Sequence, residues 1–266
     1  MRLRIRSAGA WIVRGIGRSV LGFFAHTTRV LMLAGNMVRK APQVFHNPQL
    51  TLEQMVEVGI HSLPLVFIVS VFAGATTAWQ AKYQLSGLVN TNVIGTAVSK
   101  SLILELSPVL TALVVAGRIS SSVSAELATM RVTEQIDALV TMSIDPVRYL
   151  VLPRVTAGIV MVPILVIASI VFGIFGGYVT TVYVSNIAGE KFLTGIHFFF
   201  YVRDVAVGLF KAYVFGAVTS LMGCYFGFIA EGGAEGVGRA AIRAFVTSSV
   251  LILIADFAVA FVAFST

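Results

Sequence analysis

Three ionisable side chains stand where water is scarce: Glu105, Lys211 and Asp256 each fall inside or at the edge of a long apolar run. A charge in hydrocarbon is costly, so such groups pair with one another or line a polar cavity. If the runs cross a membrane in alternating directions, all three reach a similar depth in its outer half. Two roles then stand open. The cluster either fastens helices together, or it lines a substrate cavity in which Lys211 meets an anionic headgroup. Under the second role, Lys211→Ala impairs function more than folding.

Other chemistry is sparse. Glu53, Glu57 and His61 recur every four residues and share one helix face. Carboxylates and imidazole bind divalent metals, but a ligand set spread over two turns is poor geometry. A wet helix face at the membrane edge is expected there, and no metal site. The chain has no G-x-x-x-x-G-K-[ST], no G-x-S-x-G and no H-E-x-x-H. Its one G-x-G-x-x-A (Gly236, Gly238, Ala241) follows a membrane run rather than a strand, so it reads as a flexible turn. Cys224 is alone, which excludes an internal disulfide. An intramembrane enzyme using Glu105 or Asp256 as acid or base would need a nucleophile or metal set, and none is offered. No catalytic residue and no cofactor are expected on this chain.

The elements that position these residues follow from composition. Of 266 residues, 57% are hydrophobic and 12% charged, and the mean hydropathy is +0.91. A soluble domain has no core large enough for so much apolar surface. The net charge of +7 is concentrated in residues 1–52, which carry Arg2, Arg4, Arg6, Arg14, Arg18, Arg29, Arg39 and Lys40 and no acid. A basic block before the first span fits a cytoplasmic N-terminus facing anionic headgroups. Trp11, Phe23, Phe24 and Leu31 among those bases argue against nucleic acid. As a helix over 11–39, the block places Arg14, Arg18, Arg29 and Arg39 on one face, an interfacial arrangement. Arg14 and Arg18 interrupt any signal-peptide core, so none is expected. The acid-free start also resembles an organellar transit peptide, while the short N-terminus favours a bacterial membrane.

Five apolar runs follow, at Leu63–Gln80, Asn92–Gly117, Ala157–Val184, Ala212–Ala230 and Ala244–Phe264. None alternates as a barrel strand would, so the expected fold is an all-α, multi-pass membrane protein. With the N-terminus inside, loops 118–156 and 231–243 are cytoplasmic, and loops 81–91 and 185–206 lie outside. The outer HFFFY (His197–Tyr201) reads as an interfacial aromatic belt. Small residues at Gly117, Ser121 and Ala125, and at Gly223 and Gly227, recur every four positions and suit close helix packing or a homodimer seam.

The stretch VAGRISSSVSAELATMRVTEQIDAL (Val115–Leu139) turns from apolar to serine- and alanine-rich and then to charged. It reads as a helix leaving the lipid and becoming an amphipathic handle for a soluble partner, halted by Asp145-Pro146. ELSPVLTALVVAGRISSSVSAELATMRVTEQIDALVTMSIDPVRYLVLPR (Glu105–Arg154) and GGAEGVGRAAIRAFVTSSVLILIADF (Gly232–Phe257) resemble the signatures of the MlaE/YrbE permease family. The likeness extends from about residue 50 onward. Where that family commonly has R-E-L-G-P, this chain has Leu104 to Pro108 as L-E-L-S-P, which leaves Glu105 more dependent on Lys211.

The resemblance implies an interfacial region over 1–52 and a permease domain over 53–266. It implies a homodimer with five spans per chain in a bacterial inner membrane, moving phospholipid between the inner and outer membranes. Arg131, Thr133, Glu134, Gln135, Asp137 and Leu139 would form a coupling helix for a cytoplasmic ABC ATPase, which would hold the ATP and magnesium. A hexameric ring of periplasmic MCE-domain protein and a small STAS-type protein would complete the assembly. The alternative is a membrane anchor for that ring, without a transport role of its own.

Overall fold

The computed structural model describes residues 21, 24–40, 42, 48–85, 93–198 and 200–265, and among these all regular structure is helical. In lipid each backbone N–H and C=O needs a partner, and a helix supplies it within one segment. Helix α1 covers residues 24–40. Five helices long and apolar enough to cross a membrane follow: α2 (Pro48–Leu85), α3 (Val93–Val132), α5 (Val147–Val184), α7 (Val202–Phe228) and α8 (Gly233–Phe264). Short helices α4 (Gln135–Thr141) and α6 (Gly189–Phe198) lie between α3 and α5 and between α5 and α7. Alternate spans run in opposite directions. One end of the bundle, called here the handle end, carries α1, α4 and the α7–α8 turn; the far end carries α6.

The helices exceed the apolar runs that announce them. Helix α2 begins at Pro48, where proline's missing N–H costs nothing, and a 3₁₀ turn at Ile60–Ser62 interrupts it. Helix α3 does not leave the bundle at Gly117. It continues to Val132 because Val123, Leu127 and Ala128 are buried, Ala128 against Ala230 and Ala240. The connection expected over 118–156 therefore shrinks to residues 133–146. Gly236 and Gly238 are likewise helical rather than a flexible turn; the reversal is made by Gly232 and Gly233, at φ +95° and +66°, where a side chain is disfavoured. Of the helix expected over 11–39, residues 11–20, with Arg14 and Arg18, lie outside the described residues. Arg29 and Arg39 are exposed on α1, while Leu33 and Met37 pack onto the core.

Helix α5 is the axis of the bundle, packed against α2, α3 and α7. Its approach to α2 is set by small residues. A Cβ on Gly74 would lie 1.8 Å from the Gly173 carbonyl oxygen, and one on Gly176 would lie 2.2 Å from that of Val71. One turn away, Ser70 donates to Ser169 at 2.8 Å in a buried hydrogen bond. Helix α8 is the opposite case: only 11% of its most apolar window is buried within the chain. Leu253, Ile254, Phe257 and Phe261 point outward.

Backbone contact leaves no room for a methyl group between α2 and α5. Gly74→Val is expected to destabilise the chain by about 2 kcal/mol or more, the cost of forcing packed elements apart. Thermal unfolding in detergent reads this directly. An unchanged midpoint would show that the two helices separate freely.

Candidate functional site

The far half of the bundle brings together the three intramembrane charges. Counted from the far ends of their helices at 1.5 Å per residue, they lie roughly 12–18 Å deep. Lys211, on α7, has no exposed side-chain surface. Its Nζ donates to Glu105 Oε1 at 2.7 Å and to the Leu104 carbonyl at 3.1 Å. Asp256 Oδ1, from α8, is an ion-pair partner at 2.8 Å, although it accepts no aligned hydrogen bond. Three oxygens thus surround one ammonium.

Local sequence explains why the site forms there. Pro108 has no N–H to give the carbonyl four residues back, which belongs to Leu104. Lys211 takes that orphaned acceptor. The same stretch, Leu102–Leu106, is a widened π turn that carries Glu105, a distortion common at functional sites. Helix α7 reaches this point because Gly208 has no side chain: a Cβ there would meet the Ile103 carbonyl oxygen at 2.4 Å.

Only part of the cluster is open. The Glu105 side chain is 44% exposed and that of Asp256 18%. Glu105 lines a cleft of about 410 Å³ between α2 and α3, shared with Thr77, Gln80, Gln84, Ala97 and Ser101. Lys211 is not among its walls. The expectation that Lys211 meets an anionic headgroup is therefore corrected: its ammonium is consumed by two carboxylates and a carbonyl, and the open charge is negative. A second hollow of about 510 Å³, between the far ends of α7 and α8, is lined by apolar residues including Val207, Phe210, Val259 and Val262, with Arg203 at its edge.

At the handle end the chain turns sharply between α3 and α4. Thr133 ends α3, and Glu134 adopts a left-handed conformation at φ +59°. Arg131 Nη1 reaches across the turn to Asp137 Oδ1 at 2.6 Å. Arg131 belongs to the last turn of α3, whereas Gln135, Asp137 and Leu139 lie on α4. Ile136 is buried and Leu139 packs beside it, which leaves Glu134, Gln135, Val140 and Met142 facing outward. The segment closes at Asp145, whose carboxylate caps α5 by accepting from the Val147 N–H at 3.0 Å and also pairs with Lys40 of α1. Partial burial pushes the Asp145 carboxyl upward, but Lys40 and the Val147 N–H outweigh it and hold it below the ordinary carboxylate range.

Several ties at this end escape sequence reasoning. Arg118, on a π turn of α3, donates to the Glu57 carbonyl at 2.9 Å, to Ser62 Oγ at 2.7 Å and to Glu57 Oε1 at 2.6 Å. It thereby fills acceptors left open by the break in α2. His61 holds the other Glu57 oxygen at 2.6 Å, so Glu57 and His61 are spoken for, and no metal-binding group of His, Cys, Asp or Glu exists among the described residues. Buried Arg154 donates to Glu126 at 2.6 Å, and His26 of α1 contacts the Tyr225 hydroxyl at 2.5 Å. The small-residue stripes work within the chain. Gly223 abuts the Ser120 backbone and Gly227 abuts Leu127 and Ser124, while Gly117 meets Phe245. Ser121 bonds back to the Gly117 carbonyl, and Ala125 is half-buried beside it.

The permease MlaE family model matches residues 51–262. A probable ABC transporter permease protein of Rickettsia typhi is 46% identical over 78% of this chain and 80% of its own. One from Synechocystis is 39% identical over 92% of this chain and 93% of its own. The intermembrane phospholipid transport system permease protein MlaE of Haemophilus influenzae is 31% identical over 92% and 94%.

The three side chains of the triad act as one unit, and its dissection has a definite sign. Lys211→Met leaves two carboxylates facing each other and is expected to cost about 3–5 kcal/mol. Adding Glu105→Gln and Asp256→Asn should return at least about half of that, read from unfolding midpoints. Equal destabilisation of the single and triple variants would show that shape rather than charge holds the site.

Proposed function

The chain belongs to the MlaE permease family and is a multi-pass, lipid-transporting permease of the ABC type; from that premise we propose that its cargo is phospholipid exchanged between the inner and outer membranes. The observation that carries this reading is a polar cleft with an open carboxylate between α2 and α3, set into five apolar spans. The cleft suits a headgroup, with the acyl chains left to the apolar surface of the spans. The name of the Haemophilus relative supports the same cargo.

In this reading residues 1–52 are the interfacial approach and residues 53–266 the permease domain, in a bacterial inner membrane with the N-terminus in the cytoplasm. A homodimer is part of the same reading, with the outward apolar face of α8, open to lipid or to a second copy, as a surface for it. Residues 131–139, with Val140 and Met142 exposed beside them, are the coupling helix. They dock a separate ABC ATPase that holds ATP and magnesium. A periplasmic MCE-domain ring and a STAS-type protein complete the system. Four ion pairs at this end, Arg118–Glu57, Arg131–Asp137, Arg154–Glu126 and Lys40–Asp145, give the coupling segment a rigid footing on the spans.

The first test is purification of the tagged chain from its native membrane in mild detergent, with mass spectrometry of what accompanies it. A P-loop ATPase, an MCE protein and bound phospholipid are expected. An MCE protein without ATPase or lipid would replace the permease role with that of a ring anchor. Met142→Arg together with Glu134→Lys should lower ATPase recovery roughly fivefold or more, the loss of ~1 kcal/mol or more at an interface contact. The unfolding midpoint should stay within a few degrees. Full ATPase recovery and lipid-stimulated ATPase activity in that variant would remove the coupling assignment.

A further inference from the structure

We propose that the cleft between α2 and α3 selects lipids whose headgroup ends in a primary ammonium, and that Glu105 is the selecting residue. The proposal rests on the reading of this chain as a phospholipid permease and adds the headgroup class. Two polar stripes face the cleft. Thr77, Gln80 and Gln84 recur at helical spacing on α2, and Ser101 and Glu105 are four apart on α3. Among the described residues, the only charge on these walls is negative.

Every lysine near the cleft is engaged elsewhere. Lys211 is fully buried beneath Glu105. Lys82 donates to the Ser185 carbonyl at 3.1 Å and lies over the Trp79 ring. Lys100 pairs with Asp204 at 3.8 Å and sits over the Tyr201 ring. Among the described residues, no basic side chain lines the cleft to take a phosphate. A headgroup that is only anionic would bring its charge against Glu105 with nothing to offset it.

An ammonium changes that balance. The cluster sets two carboxyl groups beside one lysine, and of the three only Glu105 also lines the cleft. An ammonium at that open face is a second cationic partner for the Glu105 carboxylate. Lys211 occupies Oε1, and the carboxylate has a second oxygen with lone pairs for a donor. The phosphate that follows an ethanolamine group then falls among amides and a hydroxyl, which donate hydrogen bonds to it without a full charge. Gln80 and Gln84 supply the amides and Ser101 the hydroxyl, while Thr77 donates its own to the Ala73 carbonyl.

Purified full-length chain in detergent is offered equimolar phosphatidylethanolamine and phosphatidylglycerol of identical acyl chains, with bound lipid counted by native mass spectrometry. Wild type should favour the ethanolamine lipid by about tenfold, the scale of one charge-assisted hydrogen bond. Glu105→Gln should reduce that preference to below about twofold while total bound lipid persists. An independent measurement needs no variant: N-acetylated phosphatidylethanolamine, which lacks the positive charge, should bind wild type no better than the glycerol lipid. Equal occupancy by the two natural headgroups, or undiminished binding of the acetylated lipid, overturns the ammonium assignment and leaves the permease reading standing. Failure of wild type to retain any of the three lipids overturns the phospholipid reading itself, and the headgroup assignment with it.

Discussion

A lysine with no exposed surface, held deep among apolar helices, organises the far half of this protein. Its ammonium needs acceptors that lipid cannot supply, and it finds them on two neighbouring helices. Each acceptor imposes a condition on the fold. The Leu104 carbonyl is free only because Pro108 follows it by four residues. Glu105 points correctly because α3 widens there into a π turn. Asp256 arrives only if α8 lies beside α7, and α7 comes close only because Gly208 is bare. Removing any one of these leaves a buried charge without its partner, the condition that membrane proteins tolerate least.

The two halves of the bundle use polar groups differently. In the far half a single buried cluster joins three spans and opens on one side through Glu105. At the handle end the ion pairs are more exposed and more numerous, and four of them join two elements. Exposed pairs contribute little stability individually. Here their partners are a helix break in α2, the start of α5, the end of α1 and the α3–α4 turn, so their effect is to fix direction.

Small residues decide where the spans may touch. Between α2 and α5, and between α3 and α7, glycine lets backbone meet backbone or a short side chain. Dispersion and polar contacts act at short range in lipid, where no hydrophobic drive operates between helices. The bulky residues of α8 do the reverse. They keep its outer face apolar and leave it for lipid or a second copy.

Much of this architecture was legible in the residues alone. Apolar runs of bilayer length can only be helices, because the backbone has no other way to satisfy itself in hydrocarbon. Charges at Glu105, Lys211 and Asp256 stand out because each is an expensive exception within such a run, and alternating spans put them at one depth. The signatures at Glu105–Arg154 and Gly232–Phe257 pointed to the family that the comparisons show. Tertiary structure decided the rest. Hydropathy marks where a helix is greasy, not where it ends, so α3 runs on to Val132 on contacts made by Val123, Leu127 and Ala128. Burial of Lys211 rather than Glu105 depends on which helix lies above it, a choice that spacing along one chain does not encode. The pairings of Arg118 with Glu57, Arg154 with Glu126 and Lys40 with Asp145 join residues 28 to 105 positions apart. Long-range charge pairs leave no local pattern, and only the packed bundle brings them within reach.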